Sequence, residues 1–259
     1  MNNRGKHIEG KTRRCQETAG HNILKNSGLV LVNSSNYNKW QYEQLERYIG
    51  NYILEIGCGL GNITQYLLGK AEYLLSVDVK SEAVEYFKKR FAGFNKVHVE
   101  CLDIFKDGLK KYNEIKFDTI ILSNVLEHIE DDLTAMKICN DILSKTHGKL
   151  LVIVPAHKFL YGTLDKESGH QRRYSRLDII NLAANSKFRI IDLYAFNSIG
   201  ALGWYLNYCL LRKKNTNNAS STLQVRFYDK AIVNTLRRWE SFVRPQFGLS
   251  YIAILEAKQ

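Results

Sequence analysis

Two short stretches hold residue types that could do chemistry. In "EIGCGLG", residues 55–61, Gly57, Gly59 and Gly61 alternate behind Glu55. Glycine adopts backbone conformations closed to other residues and lets a ligand come close to the chain, so such a turn between strand and helix can cradle a cofactor. The G-x-G-x-G spacing departs from the dinucleotide pattern G-x-G-x-x-G. A carboxylate ahead of the first glycine would repel a pyrophosphate, but could organise the turn or meet a ligand ammonium. The second stretch, "DKESGHQRRYS", residues 165–175, sets His170, Arg172, Arg173 and Tyr174 within five positions. Imidazole changes charge near neutral pH and can take a proton, and guanidinium grips carboxylate or phosphate bidentately. Gly162 and Gly169 permit sharp turns around these groups. A structural reading competes with the functional one: Arg172, Arg173 and Tyr174 could lace the loop onto the next helix, with Ser175 as its N-cap.

Both stretches need elements to hold them. Short apolar runs predict strands near 52–56, 73–78, 96–101, 117–122, 149–154, 188–194 and 249–257. Helical spacing predicts helices near 37–49, 62–69, 81–91, 130–144 and 175–185. This alternation defines the α/β class: a Rossmann-like seven-stranded, mostly parallel sheet with helices on both faces. An apolar helical stretch at 198–211, a polar loop at 212–221 and a helix near 223–242 form a helical insertion before the last strand. Residues 1–36 read as a basic, flexible N-terminal arm, and 37–259 as one domain with substrate-side insertions at 155–175 and 198–242.

The ordered motifs resemble the class I S-adenosylmethionine-dependent methyltransferases over about residues 50–195. "YILEIGCGLGNIT" resembles the glycine turn of that family, and "SVDV" the end of its second strand. "CLDIF" resembles its adenine-binding segment, "FDTIILSNVLEHIED" its fourth strand and exit, and "GKLLVIVPA" its fifth strand. The resemblance implies S-adenosylmethionine as cofactor, with S-adenosylhomocysteine as its product. The implied contacts are Glu55, Gly57, Cys58, Gly59, Gly61, Asp78, Val79, Asp103, Ile104, Ser123 and Asn124. Asp78 would hold the ribose hydroxyls and Asp103 the adenine amino group, with Leu102 and Ile104 beside the ring. Read without the family, Asp78 could cap the helix at Ser81 and Asp103 could be a turn acid.

The segment "PAHKFLYGTLDKESGHQRRYS" resembles a ubiquinone-type O-methyltransferase-like branch with G-H-x-R-R-Y, often linked to glycan or natural-product biosynthesis. The fold then places His128, His157 and His170 at the substrate side as candidate catalytic bases. Tyr161, Arg172, Arg173, Tyr174, Asn197 and Trp204 become candidate substrate contacts. Methyl transfer from a sulfonium is an in-line displacement that needs positioning and proton removal, so no metal is implied, and no metal-ligand spacing stands in the sequence.

The expected reaction is methyl transfer to an oxygen, in preference to a nitrogen, of a small polar metabolite or sugar-containing intermediate, anionic ones included. An isoprenoid phenol or quinone precursor is the alternative, with residues 198–211 holding the tail. RNA methylation and non-catalytic binding are readings of other classes. The net charge of +11 admits the first of these: residues 1–30 carry six Lys/Arg against two acids, and residues 212–244 eight against two. Nucleic acid is nonetheless disfavoured, because no RNA-binding module is recognisable and the fourth-strand exit reads "SNVL". The same basic flank beside an apolar helix admits peripheral membrane contact. Oligomeric state is not legible. With no secretory signal pattern and five scattered cysteines, the chain reads as cytoplasmic with reduced thiols.

Overall fold

The computed structural model describes residues 34–213 and 227–258. Residues 1–33 of the expected arm and 214–226 of the expected loop and helix start lie outside the described residues.

Helix α1 (Ser35–Leu45) leads into β1 (Tyr52–Ile56), the glycine turn and the short α2 (Thr64–Leu67). Next come β2 (Tyr73–Asp78), α3 (Ser81–Arg90), β3 (Val97–Cys101), α4 (Ile104–Asp107) and β4 (Thr119–Ser123). A 3-10 turn at Leu126–His128 precedes α5 (Asp132–Leu143) and β5 (Lys149–Pro155). The first insertion carries α6 (Thr163–Glu167), followed by α7 (Arg176–Asn185) and β6 (Phe188–Phe196). Helix α8 (Ser198–Trp204) runs on as a π-helical turn, Tyr205–Leu210. A second π turn, Tyr228–Ile232, opens α9 (Val233–Phe242), and β7 (Ser250–Ala257) ends the sheet.

The sheet order is β3-β2-β1-β4-β5-β7-β6. The first five strands are parallel, and β7 runs antiparallel to both neighbours. Strand order reverses between β1 and β4, which opens a crevice at their carboxyl ends.

Continuous apolar runs follow from burial on both faces. Leu54, Ile120, Leu122, Leu150, Val152 and Leu255 join one core with Met136, Cys139 and Leu143 of α5 and Ile179 and Ala183 of α7. The alternate residues Ile53, Ile121, Leu151, Ile153, Ile252 and Ile254 face the other core, with Trp40 and Leu45 of α1, Leu67 of α2, and Val233 and Leu236 of α9. Asp229 ties α9's leading turn to α1 through Asn36 and the Tyr37 amide. The late helix thus covers the sheet beside α1.

Residue 62 was expected to begin a helix, but the first regular turn starts at Thr64, because Gly61 at φ +78° still belongs to the preceding loop. Among the described residues no helix is long and apolar enough to cross a membrane. Among the described residues Cys58, Cys139 and Cys209 are free thiols.

Candidate functional site

The glycine turn closes onto β2. The amides of Gly57 and Cys58 both donate to the Val77 carbonyl, at 2.8 and 3.1 Å. Gly57 must be glycine: φ is +75°, and a Cβ would stand 2.4 Å from Val125 Cγ2. That contact also shows how closely the chain leaving β4 approaches the turn. At Gly59 a Cβ would meet nothing within 4 Å, so this peptide faces open space in the crevice.

Asp78 is buried at the end of β2 and accepts from the amides of Gly59 (2.8 Å) and Lys80 (2.9 Å). It braces the turn, and a carboxylate with about four lone-pair sites keeps acceptor capacity for a ligand diol. Glu55 lies beneath the turn, with Oε2 accepting from Thr64 Oγ1 (2.6 Å) and Ser76 Oγ (2.9 Å). Burial pushes it up to about 7 against those hydrogen bonds. Cys58 packs with Phe87 and Phe91, and Val79 is exposed. Asp103 caps α4 through the Phe105 amide and pairs with Lys106, while Ile104 is buried in the core. Ser123 ends β4 and Asn124 follows it, exposed at φ +55°.

A second group forms where the 3-10 turn after β4 meets the first insertion. The His128 and His170 rings lie edge to face, 4.8 Å apart. Glu127 lies beside them fully buried, and neither of its carboxylate oxygens has a hydrogen-bond partner. Its Oε1 is 3.8 Å from His170 Nε2. One nitrogen of each imidazole and one Glu127 oxygen lie within 4.8 Å of one another, a grouping with metal-ligand character that linear spacing did not reveal. Desolvation pushes Glu127 up to about 8; the same effect, then the neighbouring His170, pushes His128 down to about 4.

Asp165, also fully buried, organises this group. Its Oδ1 is 2.8 Å from His170 Nδ1, while Oδ2 accepts from Arg173 Nε and the Gly162 amide, each at 2.8 Å. Burial opposes its charge, but the bonds from His170 and Arg173 outweigh that and hold it below the usual carboxylate range. Sequence reasoning missed both Glu127 and Asp165. The signals were an acid directly before His128 and an acid five residues ahead of His170.

Several expected substrate contacts have internal partners instead. Arg173 is buried: it donates to the Ala156 carbonyl and stacks over Trp204 at 4.5 Å. Tyr174 is buried against the core and donates to Leu126 O and Asp132 Oδ2. Asn197 is buried as the N-cap of α8. All three side chains are buried and hydrogen-bonded within the protein, as desolvated polar groups require. Arg172 pairs with Asp132 at 2.8 Å, Trp204 Nε1 donates to Leu160 O, and the half-exposed Tyr161 hydroxyl donates to His170 O. Ser175 caps α7 as expected, accepting from the Asp178 amide. His157 does not join the other histidines: it stacks on Phe247 at 4.7 Å, its Nε2 buried without a partner.

A cavity of about 300 Å³ opens elsewhere, between the starts of α5 and α7. Its charged walls are already paired, Arg172 with Asp132 and Lys158 with Asp178, and it is lined by no residue of the glycine turn.

Residues 54–149 match the family model described as "Methyltransferase domain". That segment runs from β1 to the start of β5 and holds the glycine turn, Asp78, Asp103, Glu127 and His128. The fold is that of the S-adenosylhomocysteine-bound N-methyltransferase NodS from Bradyrhizobium japonicum WM9, at TM-score 0.53 and 15% identity over 84% of this chain and 86% of that one. Among curated proteins, ribosomal RNA small subunit methyltransferase A of Aliarcobacter butzleri is 28% identical over 191 residues, 67% of this chain and 61% of that protein. Probable polyketide synthase 42 of Dictyostelium discoideum is 26% identical over 128 residues, 42% of this chain. The chain spans 5% of the length of that synthase.

Proposed function

We propose that this chain is an S-adenosylmethionine-dependent methyltransferase acting on a heteroatom, oxygen or nitrogen, of a small polar metabolite or sugar-containing intermediate. The observation that carries the reading is the glycine turn at the β1/β4 switch point, open at Gly59 and braced by Asp78, with Glu127 and His128 on the adjoining exit of β4. The residues fit the cofactor. Glycine backbone admits close approach of a ligand, Asp78 offers acceptor capacity for a diol, and the exposed Val79 stands at the rim of the crevice.

When bound, the cofactor supplies an activated methyl group on a sulfonium. The protein's own work is to position the acceptor and hold its proton. Glu127, His128 and His170 form the base group, and Asp165 is a positioning residue that fixes the His170 ring from behind. A carboxyl held near 8 suits proton transfer close to neutral pH. The deciding experiment is calorimetry of the folded protein with S-adenosylmethionine and S-adenosylhomocysteine. Both should bind, and Gly59→Ala should weaken both. Absence of heat from either would refute the reading.

RNA methylation stands as the second reading, supported by the net charge of +11 and by the ribosomal RNA methyltransferase relative. It requires RNA affinity that falls steeply as salt rises.

A further inference from the structure

We propose that Glu127, His128 and His170 form a receptor for a primary ammonium group, so that the methyl acceptor is an amine; this second half rests on the methyltransferase reading above.

The argument begins with which atoms can donate. Nδ1 of His128 lies 3.3 Å from the Gly169 carbonyl, which can only accept, so this nitrogen carries the ring proton. Nδ1 of His170 lies 2.8 Å from the Asp165 carboxylate, which places its proton there by the same logic. In that tautomer the neutral ring presents a lone pair on Nε2. Burial holds Glu127 protonated up to about pH 8 in the empty site, so a bound cation takes the place of that proton, and the ionised carboxylate then only accepts. With Glu127 ionised the group gathers acceptors and lacks a donor, and neither carboxylate oxygen has a hydrogen-bond partner within the protein.

An unpaired buried carboxylate is costly, and a cation relieves that cost. Among the neighbouring basic groups His170 comes within ion-pair range of Glu127, at 3.8 Å, but beyond hydrogen-bond distance. Arg173 acts on Glu127 from a distance, but its hydrogen bonds go to Asp165 and Ala156, and Asp165 itself is satisfied by His170, Arg173 and the Gly162 amide. Lys80 acts on His128 without bonding to it.

Size selects the cation. Glu127 Oε1 and His170 Nε2 stand 3.8 Å apart, too far to bond to each other, and the three acceptor-bearing groups lie within 4.8 Å. A nitrogen donating to each acceptor at about 2.8 Å holds tetrahedrally arranged partners about 4.6 Å apart. A metal ion bound at about 2.1 Å spans at most about 4.2 Å between any two ligands. The observed spread suits hydrogen bonds from –NH3+. A hydroxyl brings a single donor and would leave two of the three acceptors unmet.

The transfer balances. The ammonium gives one proton to Glu127, and the freed nitrogen lone pair attacks the donor's methyl carbon. The carbon–sulfur bond breaks with its electron pair going to sulfur. The products are a thioether and an N-methylammonium, and Glu127 then releases its proton to solvent. The freed lone pair first points at Glu127, so the amine turns about its carbon–nitrogen bond to bring that pair in line with the methyl carbon, while its two N–H groups keep acceptors within the group.

The test follows the imidazole NMR signals of His128 and His170 in the full chain, titrated at constant ionic strength with methylammonium chloride, methanol or magnesium chloride. Methylammonium should shift both rings saturably, with methanol at least tenfold weaker. Glu127→Gln should weaken the methylammonium response at least tenfold while the His157 signals stay in place as a report of fold. Should that variant not fold, the wild-type titrations alone decide. Equal response to methanol, a magnesium response that methylammonium does not displace, or no response at all would each overturn the receptor. Calorimetry with S-adenosylhomocysteine separates the two levels. If it binds and methylammonium does not, only this inference fails. If methylammonium binds and it does not, the donor reading fails and the ammonium site stands.

Discussion

Gly59 and Gly61 both adopt left-handed backbone, at φ +51° and +78°, but a methyl group would meet opposite surroundings at the two positions. At Gly61 the added Cβ would sit 2.3 Å from Cε2 of the buried Phe91 ring, with Cζ at 2.8 Å. Left-handed strain costs about 1–2 kcal/mol, and overpacking a ring that cannot retreat adds about 1–3 kcal/mol. Gly61→Ala should therefore lose about 2–5 kcal/mol. At Gly59 nothing lies within 4 Å, so only the strain applies, about 1–2 kcal/mol or a Tm fall of about 2–8 °C. The methyl would then occupy the space through which the cofactor must reach the turn. Folded Gly59→Ala should bind S-adenosylhomocysteine at least tenfold more weakly, a change of about 1.4 kcal/mol or more. Thermal melts and calorimetry on both variants provide the readouts. Undiminished binding by Gly59→Ala, or a destabilisation equal to that of Gly61→Ala, would refute the assignment of the open peptide as the cofactor's approach.

Burial raises Glu55 to about 7 and Glu127 to about 8, so both favour the fold when protonated. Their stabilising contribution is full below about pH 4.5 and is lost as pH rises through 7 and 8. Urea melts at pH 5 and pH 9 should show this loss, and Glu55→Gln should remove its own share, about 3 kcal/mol; an unchanged pH dependence in the variant would count against the buried carboxyl. Asp165→Ala strands Arg173 in the interior and should cost about 3–5 kcal/mol. Arg172→Ala, at a partly exposed pair, should cost no more than about 1 kcal/mol, and equal losses in denaturant would contradict the division of the two arginines into buried brace and surface tie.

Much of the fold was legible because strand and helix patterns are set by near neighbours. Ile53 beside Leu54, and Leu151 beside Val152, are apolar on both sides because the sheet is covered on both faces, and that reads directly as a buried parallel strand. The glycines at 57, 59 and 61 announced a turn that backbone geometry alone demands, and Ser175 announced the start of α7. The order of motifs pointed to a methyl donor before any coordinate did. Tertiary structure alone decided which charges are spent inside the protein. In the sequence Arg173 has the same chemistry as Arg172. Only the meeting of Asp165, Trp204 and the end of β5 buries one and leaves the other at the surface. In the sequence Glu127 is one acid among several in the exit from the fourth strand, yet packing removes it from water and leaves both carboxylate oxygens without a hydrogen-bond partner. Local spacing determines which face a side chain takes; whether a polar group keeps its solvent or needs a ligand depends on segments distant in the chain, and that is settled only when they pack.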